Sequence, residues 1–362
     1  MTIPAQPIRN NNLKARWDVL RLRCAKLRFD RAPTAPAPEL NPHSLRSILF
    51  LRQDGKIGDY IVSSFAFREI KKANPKIKIG VLCSAKNRQL FENNPYIDAL
   101  HEVVPKSAAS YCAVGSALAR QYDVAIDLNL HLRARDLMLL RALDCPYNLG
   151  LGKAGYRLFN LNIANIQQHF NDVYSQTLQL LGFTDLDTRP MLPHHPASET
   201  AVQAFLQQNG LKNYTALNFF GASNSRRFSR QAIQTALTAF QTTFPEQQFV
   251  LLTYPEITPM LQEVCRDQPN CFLYADTQTI HDSIALLRHA DTVLTPDTAI
   301  AHIAAALDKK IVGLYREDPR NLANWRPNSQ KAQLLFFKKH IEEITPQQMV
   351  TALGIANHSS MA

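Results

Sequence analysis

At 362 residues, 46% of them hydrophobic, the chain is long enough for two domains with sizeable cores. Its formal charge of +10 points to an anionic partner: a phosphorylated substrate, a phospholipid surface or nucleic acid. Nucleic acid is set aside, because no finger, helix-turn-helix or RNA-binding signature accompanies the charge. Cys24, Cys83, Cys112, Cys145, Cys265 and Cys271 form no C-x-x-C pair and no zinc spacing, so most read as small buried thiols in a reducing compartment.

The first ten residues, MTIPAQPIRN, hold no apolar signal core, and no window approaches a membrane span, which predicts a soluble cytoplasmic protein. Basic residues are dense from Arg9 to Arg31, with Leu13, Trp17, Leu20, Cys24 and Leu27 between them at helical spacing. Such a helix either lies on an anionic membrane or stays solvated or packed on its own domain. After a proline-rich stretch at 31–42, strands are expected at 48–52, 77–83, 100–104, 124–128 and 148–152. Helices are expected at 60–73, 86–92, 108–120 and 133–143. The chain turns polar and proline-rich at 184–199, and the rhythm restarts. Strands are expected at 216–219, 249–252, 271–274, 292–294 and 311–314, and helices at 201–208, 230–244, 280–289 and 298–307. This alternation predicts an α/β protein with two doubly wound, Rossmann-like domains and ligands at the strand carboxyl ends. The expected limits are an arm at 1–44, an N-terminal domain at 45–185, a linker at 186–198 and a C-terminal domain at 199–362.

Three loops carry the chemistry. LRQDGKIGDYIVSS, 51–64, runs from a strand through glycines into a helix, yet it contains neither G-x-x-x-x-G-K-[ST] nor G-x-G-x-x-G. Asp59 would repel a phosphate there; it is either the N-cap of the helix or a general base. NFFGASNSRRF, 218–228, leads a strand into glycine, small polar residues, Arg226 and Arg227. The two guanidinium groups are either surface charge or bidentate partners for phosphate. TVLTPDTAIAHIAAAL, 292–307, passes through Pro296-Asp297-Thr298 into a small-residue helix. Asp297 or Thr298 can cap it, leaving its dipole and free N–H groups for an anion. His302, one turn in, is either structural or part of that site.

Together these stretches, above all GKIGDYIVSSFAFREIKKANP and TPDTAIAHIAAALDKKIVGLY, resemble the ADP-heptose:lipopolysaccharide heptosyltransferases, family 9 of the glycosyltransferases, from about Ser47 to Pro327. The resemblance implies a GT-B fold, with two Rossmann-like domains facing across a cleft and the nucleotide sugar held mainly by the C-terminal one. It implies inversion at the anomeric centre with no metal and no cofactor besides the ADP-heptose donor. It also implies that Asp59 is the catalytic base, with donor binding by Ser223, Arg226, Arg227, Asp297, Thr298, Ala299 and His302. The acceptor would be a lipid-A-linked core oligosaccharide at the anionic inner face of the inner membrane. The chain departs from the family pattern at Ala299, where a glycine is usual, at Phe65, where a proline is usual, and at Arg226 with Phe228, where lysine and tryptophan are usual. Two other readings remain: the same fold moving another sugar, and a non-catalytic nucleotide-sugar or glycolipid binder, for which a base such as Asp59 would have no use.

Overall fold

The computed structural model describes the backbone of residues 13–53 and 55–358, and the side chains of these except 13–15 and 355–358. The start of the basic arm, with the Leu13 and Lys14 side chains, and Asp54 of the first loop lie outside the described residues.

The chain divides into two compact units. The first comprises the chain up to Gly55, Ala66–Ile166 and Val173–Leu186; the second comprises Lys56–Phe65, Gln167–Asp172 and everything from Asp187 on.

Six parallel strands form the sheet of the first unit: β1 (Ser47–Leu51), β2 (Lys78–Cys83), β3 (Ala99–Glu102), β4 (Val124–Asp127), β5 (Tyr147–Leu151) and β6 (Leu161–Ile163). Their order is β3-β2-β1-β4-β5-β6, with Leu49 of β1 opposite Gly80 on one side and Ala125 on the other. Every residue of β1, SILFL, is buried, as a central parallel strand covered on both faces requires. The helix Leu13–Phe29 packs on the helix Ala134–Leu143 through Leu22, Ala25 and Phe29. Lys26 Nζ anchors it by donating to the Gly155 carbonyl at 2.6 Å, and Asp30 Oδ1 accepts from Leu158 N–H at 2.8 Å.

The second unit repeats the topology with β7 (Tyr214–Leu217), β8 (Gln248–Leu251), β9 (Cys271–Leu273), β10 (Thr292–Pro296), β11 (Lys310–Arg316) and β12 (Ala332–Phe337), in the order β12-β11-β10-β7-β8-β9. Leu294 of β10 sits opposite Leu217 and Val312, and the helix Arg230–Thr243 covers the sheet with Ile233, Leu237 and Phe240. In both sheets the strand order reverses at the centre, between β1 and β4 and between β7 and β10. Loops at such a reversal splay apart and leave room for ligands.

Two doubly wound α/β units make this a GT-B architecture, as the alternation and the resemblance led one to expect. The expected strands all form, shifted by two residues or fewer at each end. Not anticipated were β6, only three residues long, β12, and the helices Phe170–Leu180, Thr258–Cys265, Pro319–Trp325 and Pro346–His358. All six cysteines are free, but only Cys83 and Cys145 are buried; Cys112, Cys265 and Cys271 are half-buried and Cys24 is exposed. Among the described residues, no helix is long and apolar enough to cross a membrane.

Candidate active site

The polar residues at the carboxyl ends of β7, β10 and β11 converge within the second unit. Asn218, just past β7, donates from Nδ2 to Thr295 Oγ1 (3.0 Å) and Thr298 Oγ1 (3.3 Å), while its Oδ1 accepts from Phe220 N–H. It thereby ties the β7 loop to the end of β10. Thr298 is the N-cap of the helix Ala299–Ala306, its hydroxyl accepting from Ile300 N–H. Of the two capping candidates, Thr298 is therefore the cap and Asp297 is not.

Asp297 is instead held sideways. Arg226 Nη1 donates to its Oδ2 at 2.9 Å and to its carbonyl at 3.0 Å, and Asn321 Nδ2 donates to Oδ2 at 2.9 Å. Burial pushes the Asp297 pKa up, while Asn321 and Arg226 pull it back. The arginine loop is shaped for this. Its turn closes through Gly221 N–H donating to the Arg226 carbonyl at 2.7 Å, and a Cβ on Gly221 would come within 2.5 Å of Arg226 Cβ. Ser223 Oγ accepts from Arg226 Nε at 3.3 Å. Arg227 turns the other way and braces the loop, Nε donating to the Gly221 carbonyl at 2.9 Å. Of the two neighbouring arginines, only Arg226 is seen to reach Asp297.

Asn321 comes from the helix Pro319–Trp325, which no periodicity revealed. Asp318 caps it by accepting from Arg320 and Asn321 N–H, and Pro319 stands at its first position. The sequence Asp-Pro followed by a short polar run was the available signal. The same helix ends in Trp325, which stacks on Phe170 (centroids 4.2 Å apart) and meets the His302 ring edge-on at 5.9 Å.

Asp59 lies on the helix Ile57–Ala73. That helix starts earlier than expected, so Asp59 is its third residue and not its N-cap. A carboxylate in the first turn is favoured by the helix dipole. Lys56 Nζ lies 3.8 Å from Asp59 Oδ2 and 5.8 Å from the Trp325 ring centroid. Gly58 fixes the location of this turn. A Cβ there would fall 3.1 Å from His302 Cδ2 and 3.7 Å from Ala299 Cα, so the Asp59 turn rests directly on the helix capped by Thr298.

His302 is buried, and burial, then His169, lowers its pKa to about 4, so the ring is neutral. Its surroundings are Gly58, Trp325 and a cavity of about 30 Å³ lined also by Val62, His169 and Asn171, room for water but not for a sugar. His302, expected at the donor site, lies beneath the Asp59 turn. His169 is locked as the Nε2–H tautomer: Nε2 donates to the Arg326 carbonyl at 3.0 Å and Nδ1 accepts from Asn171 N–H.

Asp59, Ala299 and His302 are thus brought together on two adjoining helices, while Ser223, Arg226 and Asp297 form one hydrogen-bonded group and Thr298 joins Asn218 and Thr295 in another beside it. Lys56, Gly58, His169, Asn321 and Trp325 were missed as site residues. Among the described residues, no group of three or more His, Cys, Asp or Glu could hold a metal ion.

The family described as "Glycosyltransferase family 9 (heptosyltransferase)" matches residues 112–349. The chain is 24% identical over 309 residues to the candidate lipopolysaccharide heptosyltransferase 4 of Escherichia coli (strain K12), covering 81% of this chain and 82% of that protein. Its fold resembles a glycosyl transferase family 9 structure from Veillonella parvula DSM 2008 (20% identity, 89% of this chain, 99% of that one, TM-score 0.71). It also resembles an E. coli heptosyltransferase solved with ADP (15% identity, 86% and 98%, TM-score 0.65).

Proposed function

The chain belongs to glycosyltransferase family 9, and on that premise we propose that this glycosyltransferase moves L-glycero-D-manno-heptose from ADP-heptose to the inner core of lipopolysaccharide or lipooligosaccharide, with inversion and without a metal. The observation that carries the reading is the seating of the Asp59 turn, through Gly58, on the helix that starts beside Arg226 and Asp297.

In this reading the donor diphosphate meets the Nη2 end of Arg226 and the N–H groups at the start of the Ala299–Ala306 helix, with Ser223 and Arg227 at the rim. Asp297 holds Arg226 Nη1, so the fork is oriented before the donor arrives. Asp59 takes the proton of an acceptor hydroxyl as its oxygen attacks the anomeric carbon. The bond from that carbon to the diphosphate oxygen breaks with its electron pair going to ADP. The fixed dipole and guanidinium meet the charge that grows there, which is the work a divalent ion would otherwise do. General-base catalysis by a carboxylate supplies roughly 10²–10⁴-fold; holding acceptor and donor in line supplies much of the rest. The acceptor is a core oligosaccharide linked to lipid A, which places the reaction at the anionic cytoplasmic face of the inner membrane. The names of the relatives support donor and acceptor alike.

The test offers the purified protein a panel of sugar nucleotides with truncated lipopolysaccharide cores and follows product mass. A product heavier by one heptose, formed in the presence of excess chelator, is expected. In Asp59→Asn, turnover should fall by roughly a hundredfold or more, with ADP affinity unchanged. Transfer of a different sugar overturns the donor, dependence on a divalent ion overturns the metal-free mechanism, and near-normal turnover in the variant removes Asp59 as the base.

A further inference from the structure

The helix Leu13–Phe29 has two apolar faces, and among the described residues only one of them is covered. At about 100° per residue, Val19, Leu22, Ala25 and Phe29 share a side, and Leu22, Ala25 and Phe29 pack into the core of the first unit. Trp17, Leu20, Cys24 and Leu27 share the opposite side. There Trp17 is 58% exposed, Leu20 50% and Leu27 86%, and Cys24 is exposed as well. These are three of only six large apolar side chains exposed among the described residues, and they stand in one row.

The row is bordered by cations. By the same helical angle Arg16 and Arg23 flank one edge and Arg21 and Arg28 the other, and all four are exposed. The one acid of the helix, Asp18, falls toward the packed side. Apolar side chains in a line, edged on both sides by arginine, match the layering of an anionic bilayer surface, with acyl chains beneath and phosphates at the level of the guanidinium groups. A protein partner could also cover apolar residues, but the double arginine border selects for a surface that is anionic on both sides of the contact.

We propose that the Trp17–Leu20–Cys24–Leu27 face docks this protein on an anionic phospholipid bilayer, the packed face holding the helix rigidly to the first unit while the outer face enters the headgroup layer. This deepens the membrane-surface reading above but rests on the helix alone, so it stands or falls independently of which sugar is moved.

The test uses the full chain with vesicles of phosphatidylglycerol and phosphatidylcholine, in sedimentation and in quenching by brominated lipid. The chain has two tryptophans. Bromolipid should quench part of the emission, and Trp17→Phe should abolish that part. The double variant Leu20→Glu/Leu27→Glu should lose at least about tenfold in partitioning. Arg21→Glu/Arg28→Glu should lose a similar factor at low salt and much of the salt dependence. All of these positions are exposed, so melting temperatures should match the wild type and report intact folding. ADP binding should be unchanged in each variant, so a failure of vesicle binding is separable from a failure of the donor site. Unquenched Trp17, or undiminished binding by Leu20→Glu/Leu27→Glu, overturns the proposal. So does equal binding to pure phosphatidylcholine, or a wild-type dimer that the leucine variant converts to monomer without change in vesicle binding.

Discussion

The two sheets share one topology and treat the same place in opposite ways. At the β1/β4 reversal of the first unit, Asp127 is 0% exposed and Lys153 is 2% exposed. Asp127 Oδ1 accepts from Asn129 N–H and Nδ2, and Lys153 Nζ donates to the carbonyls of Asn129 (2.6 Å) and Leu130 (3.0 Å). Burial, then the neighbouring Asp136, pushes Asp127 up to about 6, and burial pulls Lys153 down. At the β7/β10 reversal of the second unit, the Arg226–Asp297 ion pair stays partly open, with the Arg226 side chain 27% exposed beside a helix N-terminus. One reversal uses charge to fix a loop; the other leaves charge where a phosphate can reach it. Topology sets where a site can be, and the side chains decide whether one is built.

The largest effect expected from this contrast is on stability. Lys153→Met removes the cation from a buried group, leaving two carbonyls unmet and Asp127 without its neighbouring positive charge. Breaking a buried charge arrangement from one side costs about 3–5 kcal/mol. Urea unfolding should show that loss, while ADP affinity of the folded protein stays the same. A variant as stable as the wild type would mean that the first unit does not depend on its buried lysine.

The second unit buries a titratable group too, and it answers acid with the opposite sign. His302 titrates near 4 in the fold against about 6.5 unfolded. Between those values the unfolded chain binds a proton that the folded one refuses. Its contribution is therefore fully present above pH 6.5 and is lost as pH falls toward 4, by about 3 kcal/mol. Asp127, raised in the fold, binds its proton earlier than the unfolded chain does, so its penalty is relieved as pH falls from about 6. The difference between wild type and His302→Gln isolates the histidine: unfolding free energies at pH 7.5, 5.5 and 4.5 should fall less steeply in the variant. Parallel curves would show that His302 is not held neutral.

Much of this was legible beforehand, for reasons that also explain what was not. Buried strands such as β1 and β10 are continuous apolar runs, and the loops after them carry glycine, proline and charge, so their placement followed from pattern alone. Asp59, Arg226, Asp297 and Thr298 stood out because each lies in the loop, or the first helical turn, that follows a buried strand. Asn321 and Trp325 did not, since their helix is only seven residues long and has no apolar period, and its role appears only when Asp297 is seen beside it. The capping choice between Asp297 and Thr298 was invisible for a similar reason: Asp297 is drawn away by Arg226, a residue 71 positions distant. His302 stood out because it sits one turn into the small-residue helix, but its packing against Gly58, a residue distant in sequence, could not be read from the pattern.

The partly open pair makes a smaller and more specific prediction. A charge-assisted contact to phosphate contributes about 1.5–3 kcal/mol, so Arg226→Ala should weaken ADP binding by roughly tenfold to a hundredfold in calorimetry. Arg227→Ala should do much less, because Arg227 Nε is already committed to the Gly221 carbonyl. Equal losses would erase the distinction between the two arginines, and no loss in either would remove the loop from the site.

The smallest expected effect tests how the Asp59 turn is placed. In Gly58→Ala the new methyl would stand 3.1 Å from His302 Cδ2, so the turn or the imidazole must give by a few tenths of an ångström. Alanine gains up to about 1 kcal/mol over glycine within a helix, which offsets that crowding and keeps overall stability near the wild-type value. Turnover should behave differently. A misplacement of about 1 Å in a reacting group can cost about a hundredfold, so a shift of a few tenths should lower kcat by roughly threefold to tenfold. ADP affinity should hold, since Arg226, Asp297 and Thr298 make no contact that the methyl disturbs. The informative readout is this split: kcat reduced, ADP Kd unchanged and melting temperature unchanged. If kcat is unaffected, the reach of Asp59 is set elsewhere along its helix, and the contact with His302 is packing alone.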